Sequence, residues 1–111
     1  MARLRNAERA IISAGKLRDY ALNPSHPDGR HKARLFEAAT GYNRLNYTDL
    51  ISQIRDGILE LDAKPYGTYR GNELFRVDVR VTGPKGTAVI RTGWIYEEGE
   101  DAPRLTTAYP I

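Results

Sequence analysis

The sequence has 111 residues, the size of one domain, and its 41% hydrophobic residues suffice for a single core. It contains no cysteine, which excludes disulfide bonds and thiolate metal sites, so packing alone must stabilise the fold. The net charge of +3 permits a polyanionic partner but does not require one.

No apolar run in the sequence approaches the roughly 18 residues that a membrane span needs. The N-terminal residues 1–5 are followed by Asn6 and Glu8 instead of the apolar stretch of a signal peptide. We therefore expect one domain over residues 1–111, without membrane contact, whose site of action is the cytoplasm. It is either made there or exported as the tip of a larger protein.

The first half of the chain has helical periodicity. Apolar residues predict a short helix from Lys16 to Leu22, with Ser13 as a possible N-cap. Residues 23–29 contain two prolines and a glycine, which exclude a helix or a central strand there.

Two further helices are predicted after this break. The second runs from about Arg30 to Thr40 and ends at Gly41. Its inward residues are expected to be Ala33, Leu35, Phe36 and Ala39. The third runs from about Tyr47 to Asp62, with Leu50, Ile51, Ile54, Ile58 and Leu61 at helical spacing.

The second half changes to the alternating pattern of strands. Strands are predicted over Leu74–Thr82, Ala88–Tyr96 and Arg104–Tyr109, with a hairpin loop at Gly83–Gly86 and an acidic loop at residues 97–103. Helices followed by an antiparallel meander predict an α+β fold, in which the helices cover one face of the sheet.

The hairpin loop predicts how the first two of these strands pair. If Thr82 opposes Thr87, then Asp78 opposes Arg91 on the solvent face, and the apolar residues all meet on the other face. That inner face contains Phe75, Val77, Val79, Val81, Ala88, Ile90, Thr92 and Trp94. Trp94 is then a core residue. The Asp78–Arg91 pair is either an ordinary surface ion pair or an arginine oriented towards a phosphate.

The register of the last strand stays open. An even offset places Leu105, Thr107 and Tyr109 on the same face as Arg91, and an odd offset places Arg104, Thr106 and Ala108 there.

Both histidines, His26 and His31, lie close to Lys32. A metal site needs three or four ligands, and Asp28 and Glu37 are the only nearby carboxylates, so we expect no metal and no other cofactor. Acid–base chemistry is the alternative, because an imidazole can exchange a proton near neutral pH.

Arg30 opens the predicted second helix, so its free N–H groups and positive dipole end favour an anion there. With Lys32 and His26 nearby, this arrangement suits attack of a ribose 2′-OH on the neighbouring phosphorus. The structural alternative is that His26 caps a turn and Lys32 is solvated.

Four segments resemble, in order and spacing, one bacterial domain family of formally unknown function. They are KLRDYALNPSHPDGRHKARLF at residues 16–36, TGPKG at 82–86, RTGWI at 91–95 and PRLTTAY at 103–109. The family resembles C-terminal toxin domains of polymorphic and contact-dependent inhibition proteins, and also short proteins encoded beside a small partner gene. It is similar to the barnase–EndoU–colicin–RelE superfamily.

This resemblance implies metal-independent ribonuclease activity, often on tRNA, and a small cognate immunity or antitoxin protein. The implied catalytic positions are His26, Lys32, Arg91 and Thr107. His26 would transfer a proton, Lys32 would stabilise developing charge, and Arg91 and Thr107 would hold the phosphate. The expected substrate-binding residues are Arg30, His31, Arg104 and Tyr109, with His31 at a position where the family is variable.

One departure from the family pattern favours a second hypothesis. The family often has an arginine where this chain has Leu74, with Arg70 and Arg76 as candidate replacements. The alternative is therefore a non-catalytic interaction module of a toxin–antitoxin type of gene pair.

Overall fold

The computed structural model describes residues 2–111, so Met1 of the predicted domain lies outside the described residues. Three N-terminal helices pack against a four-stranded antiparallel meander, which confirms the α+β prediction. The helices are α1 (Ala14–Lys16, continued by a π-helical turn at Leu17–Ala21), α2 (Arg30–Thr40) and α3 (Tyr47–Ile58), after a 3₁₀ turn at Ala7–Arg9. The strands are β1 (Lys64–Tyr69), β2 (Asn72–Thr82), β3 (Thr87–Ile95) and β4 (Arg104–Pro110), in the spatial order β1-β2-β3-β4.

Two predicted helix ends are confirmed. The hydroxyl of Ser13 accepts a hydrogen bond from the N–H of Gly15 at 3.2 Å, as an N-cap does. Gly41 has a φ of 82°, the left-handed conformation that ends a helix, and its N–H donates to the carbonyls of Phe36 and Glu37.

Two helix predictions are wrong in detail. Leu35 was expected to point inward but is 52% exposed, because it lies on the side of α2 opposite the buried residues Ala33, Phe36 and Thr40. The third helix ends at Ile58 instead of continuing to Asp62, and the chain then turns towards the sheet.

Strand β1 was not predicted. It contains Pro65 and Gly67, which are disfavoured in strands, and all six of its residues are exposed, so it has no apolar alternation. A two-residue turn at Arg70 and Gly71, with φ values of 51° and 82°, joins it to β2. Such turns match the twist of a hairpin, so β1 forms by pairing with the edge of β2 rather than by burial.

The predicted pairing of β2 and β3 is confirmed. Thr82 opposes Thr87 and Asp78 opposes Arg91. Trp94 is fully buried, and its Nε1–H donates at 2.8 Å to the hydroxyl of Thr92, which itself donates at 2.6 Å to the carbonyl of Val77. The inward orientation of Thr92 and the core position of Trp94 are both as expected, and the buried polar groups are satisfied.

Strand β4 combines the two registers left open by the sequence. Thr107 opposes Gly93 and Tyr109 opposes Arg91, but a β-bulge then brings Leu105 opposite Trp94. The even offset is therefore correct for Thr107 and Tyr109 and wrong for Leu105, which is buried in the core. One inserted residue in β4 changes the face on which the next side chain lies.

The helices cover only the face of the sheet that carries Trp94. Helix α3 packs on β2, and α2 packs on β3 and β4. A methyl group on Gly57 of α3 would lie 2.5 Å from Cγ1 of Val79, so the absence of a side chain allows close packing. Within residues 2–111, no helix is long and apolar enough to cross a bilayer.

We expect Gly57→Ala to destabilise the protein by about 1–3 kcal/mol, because the added methyl group overpacks the interface with Val79. Ser52→Ala, at an exposed position of the same helix, should change the free energy of unfolding by less than about 0.5 kcal/mol. Urea denaturation measures both. A stabilised Gly57→Ala variant, as expected for an unobstructed helical glycine, would contradict this packing.

Candidate functional site

The face of the sheet turned away from the helices, called the outer face below, carries three cations, Lys64, Arg76 and Arg91, which are called the basic row below. Lys64 opposes Arg76 across β1 and β2, and Arg91 lies on β3 beside them. These three residues line one cavity together with Asp78, Asp62 and Leu61. The outer face is therefore predominantly basic at its centre, with two carboxylates at the same cavity.

A second cavity of about 140 Å³, the Gly93 pocket, lies next to this row. Its lining includes Tyr66, Arg76, Arg91, Gly93, Thr107 and Tyr109. Gly93 forms its floor: a methyl group there would lie 2.9 Å from Thr106 Oγ1 and 3.0 Å from the hydroxyl of Tyr66. The pocket thus exists because β3 has no side chain at this position.

Lys32 reaches the outer face from α2, around the free edge of β4. Its ammonium group donates to the hydroxyl of Thr107 at 3.2 Å. It also lies 5.0 Å from the ring centroid of Tyr20 and 5.7 Å from that of Tyr109, within the range of cation–π attraction. The first part of the β4 edge is occupied by Ile11, whose backbone pairs with it. Lys32 therefore meets β4 beyond that pairing, at the Gly93 pocket.

His26 also contacts the ring of Tyr20. The two rings meet edge to face, with centroids 4.7 Å apart. His26 Nδ1 accepts hydrogen bonds from the backbone N–H groups of Asp28 and Gly29, at 3.0 and 3.1 Å. The turn-capping contact proposed as the structural alternative is thus present. It fixes the neutral tautomer with the hydrogen on Nε2, which is therefore a hydrogen-bond donor.

Tyr20 connects His26 to the rest of the site. Its ring contacts both His26 and Lys32, whereas His26 does not line the Gly93 pocket. Gly29 holds the loop against Tyr20, because a methyl group on it would lie 2.0 Å from the Tyr20 carbonyl oxygen. Arg91 and Thr107 therefore line one pocket, Lys32 reaches this pocket through its hydrogen bond to Thr107, and His26 contacts Tyr20 outside the pocket lining.

Arg91 is oriented by Asp78. Its Nε and Nη2 donate to the two carboxylate oxygens of Asp78 at 3.0 and 3.1 Å. This bidentate pair lowers the pKa of Asp78, with smaller contributions from Arg76 and Lys64, and raises the pKa of Arg91. Both groups stay ionised at neutral pH, so the guanidinium is a fixed cation on the outer face.

Of the predicted substrate-binding residues, Tyr109 lines the Gly93 pocket, whereas Arg30, His31 and Arg104 do not. Arg30 and His31 are exposed at the start of α2, and within residues 2–111 neither side chain has a hydrogen bond or ion pair. Arg104 pairs with Glu100 at 2.8 Å and lies 3.8 Å from Glu97. Its charge is therefore compensated by the acidic loop, at the opposite end of β4 from the pocket. No group of three or more His, Cys, Asp or Glu residues that could hold a metal ion occurs in the described part of the chain.

Sequence reasoning did not assign two residues of the site. Tyr20 was interpreted as part of the apolar stripe of the first helix, although its ring contacts both Lys32 and His26. Tyr66 lies at a bulge in the unpredicted strand β1. Arg76 and Arg70 were the predicted candidates to replace an arginine expected at position 74. Arg76 lines the Gly93 pocket, whereas Arg70 lies in the β1–β2 turn. The alternation of β2 was the signal that placed Arg76 on the solvent face.

Comparison with known proteins gives a single result. A family model described as "Domain of unknown function (DUF6883)" matches residues 3–111. Neither a curated protein nor a solved structure matches the chain. The description of the family names no activity, substrate or partner.

The Asp78–Arg91 geometry predicts a measurable titration. In Arg91→Gln, the pKa of Asp78 should rise towards its ordinary value of 3.8, because its main hydrogen-bonding cation is lost. In the wild type the pair stabilises the fold above pH 3.8, and this contribution disappears as the pH falls through the lowered pKa. Carboxyl chemical shifts in an NMR titration measure the pKa. Lys85→Gln, in the distant hairpin loop, serves as the control, and an unchanged pKa in Arg91→Gln would refute the pairing.

Proposed function

Since the chain belongs to the DUF6883 family, whose description names no activity, we propose from its site that it is a metal-independent endoribonuclease of the toxin type. The predicted membership of a domain family of unknown function is confirmed. The observation that carries the proposal is the contact of Lys32 with Thr107 at the Gly93 pocket, where Arg91 and Arg76 also lie. This arrangement suits the binding of a phosphodiester, as in the barnase–EndoU–colicin–RelE-like toxins that the sequence resembles.

The proposed reaction is transesterification within RNA. The ribose 2′-oxygen forms a bond to phosphorus, the bond from phosphorus to the 5′-oxygen breaks, and a cyclic phosphate and a 5′-hydroxyl result. Negative charge accumulates on the phosphoryl oxygens in the transition state. Lys32 and Arg91 would stabilise this charge from two sides, and the hydroxyl of Thr107 would orient the phosphate.

One proton must leave the 2′-hydroxyl and one must reach the 5′-oxygen. We assign this role to the imidazole of His26. In the neutral ring Nδ1 accepts from two backbone N–H groups and Nε2 carries the hydrogen, so uptake of the 2′-hydroxyl proton requires these two hydrogen bonds to Nδ1 to open. His26 and Lys32 contact the same ring of Tyr20, which supports a shared site.

A second candidate function rests on the same histidine. His26 caps a turn and does not line the Gly93 pocket, which favours a non-catalytic interaction module if the cap is its whole role. The basic outer face would then bind a partner without cleaving it.

The toxin proposal includes a neutralising partner. An immunity or antitoxin protein with an acidic surface would complement Lys32, Arg76, Arg91 and Lys64 and cover the pocket. The site of action would be the cytoplasm, where tRNA and other structured RNA are found.

The first test is cleavage of purified total RNA in EDTA. The wild type should cleave it, and Lys32→Ala should lower kcat/KM about 100-fold or more, because a transition-state cation is lost. Lys85→Ala is the matched control, since Lys85 is an exposed lysine that pairs with Glu37 at 3.6 Å in the hairpin loop. Intact RNA with the wild type rejects the ribonuclease proposal. An equal loss in both variants would mean that only overall charge matters.

A second test separates the two roles of His26. In His26→Asn the side-chain oxygen can replace Nδ1 as acceptor for both backbone N–H groups, but it cannot exchange a proton. We expect near wild-type thermal stability and a loss of kcat of about 100-fold or more. His26→Ala should lose both the activity and about 1 kcal/mol of stability. If His26→Asn cleaves RNA like the wild type, His26 is a cap and not the proton-transfer group.

A further inference from the structure

A cavity of about 400 Å³ adjoins the Gly93 pocket on the outer face. The two cavities share Tyr66, and Thr106 of the new cavity is the chain neighbour of Thr107 in the other. The second cavity, called the base pocket below, therefore lies next to a phosphate that occupies the Gly93 pocket.

The base pocket is apolar at its floor, unlike the basic row beside it. Leu74 and Ile95 oppose each other across β2 and β3, and both line it. Ile95 is only 4% exposed although it lies on the outer face. Tyr66 and Tyr69 form aromatic walls and are 45% and 54% exposed. Exposed tyrosines above an apolar floor are the kind of surface on which planar rings stack.

Polar groups complete the lining of the base pocket. Glu97 supplies a carboxylate that accepts hydrogen bonds, Lys16 supplies an ammonium group, and Thr106 supplies a hydroxyl. Glu97 is only weakly engaged by Arg104, at 3.8 Å, because Glu100 makes the shorter pair. A cavity lined by aromatic and apolar side chains together with donors and acceptors suits a nucleobase, which presents two planar faces and a hydrogen-bonding edge.

We infer that the base pocket is a nucleobase subsite, in which a base stacks against Tyr66 and Tyr69 while its phosphate occupies the Gly93 pocket. Its role in RNA cleavage rests on the proposed function, but its ability to bind a nucleotide does not. Glu97 favours a base that offers N–H groups to it. Leu74 contributes the apolar floor together with Ile95.

The test uses binding, so it is independent of catalysis. Calorimetric titration of the wild type with the four nucleoside 3′-monophosphates and with inorganic phosphate should give at least one nucleotide that binds about tenfold or more tightly than phosphate. Tyr69→Ala should remove most of this advantage while leaving the affinity for phosphate unchanged. Tyr69→Phe keeps the aromatic ring and should bind like the wild type. Glu97→Gln should change the ranking of the four bases.

The opposite results overturn the inference. Nucleotides that bind no more tightly than phosphate, or a Tyr69→Ala variant that loses phosphate and nucleotide affinity equally, would exclude a base subsite. An unchanged ranking in Glu97→Gln would exclude that carboxylate from base selection. Circular dichroism confirms that each variant is folded.

RNA cleavage and nucleotide binding test the ribonuclease proposal and the nucleobase subsite independently. If the wild type cleaves RNA but binds nucleotides only as tightly as phosphate, the ribonuclease proposal is supported and the nucleobase subsite is rejected. Tyr69-dependent nucleotide binding with intact RNA would keep the subsite and reject the ribonuclease.

Discussion

The bulge in β4 opposite Gly93 and Trp94 is the constraint on which the rest of the outer face depends. It allows one strand to place Leu105 in the core and Thr107 and Tyr109 on the outer face. Without the extra residue, burial of Leu105 beside Trp94 would turn Thr107 inward as well, because side chains alternate along a strand. Gly93 completes the arrangement, since any side chain there would collide with the two bulge threonines.

The cations of the outer face differ in how far their charge is compensated. Arg104 is held by two carboxylates of the acidic loop, and Arg91 by the bidentate pair with Asp78. Lys32 instead contacts a hydroxyl and two aromatic rings, and none of the described residues forms a salt bridge with it. Neutral contacts position the ammonium group without cancelling its charge, so Lys32 presents the least compensated charge of the three to an incoming anion.

The loop at residues 26–29 orients the imidazole of His26 against Tyr20. Gly29 packs against the Tyr20 carbonyl, and the two backbone N–H groups after His26 hold its imidazole by Nδ1. The same contacts therefore set the turn, the tautomer and the position of the ring against Tyr20. The cap uses Nδ1 as acceptor and leaves Nε2–H as an oriented hydrogen-bond donor, so the cap and a donor role of the imidazole are compatible.

The base pocket and the basic row divide the outer face into two chemically distinct halves. Arg76 and Leu74 are alternate residues of the same strand and both point outward, yet one lines a phosphate-sized pocket and the other an apolar floor. Tyr66 stands at the boundary between the two cavities, where the β1 bulge places it. This division matches the two parts of a nucleotide, a charged phosphate and a planar base.

The sequence by itself determined the α+β order, the start of α1 and the end of α2, and the pairing of β2 with β3, because periodicity and a short hairpin loop are local signals. It therefore also placed Asp78 beside Arg91 and turned Trp94 inward. Strand β1 was missed since its stability comes from pairing with β2 and not from an apolar face of its own. Only the tertiary structure decided the bulge in β4, the approach of Lys32 to Thr107 across 75 residues of sequence, and the position of Tyr66 above Gly93. These contacts join segments far apart in the chain, and no local pattern of residues encodes them.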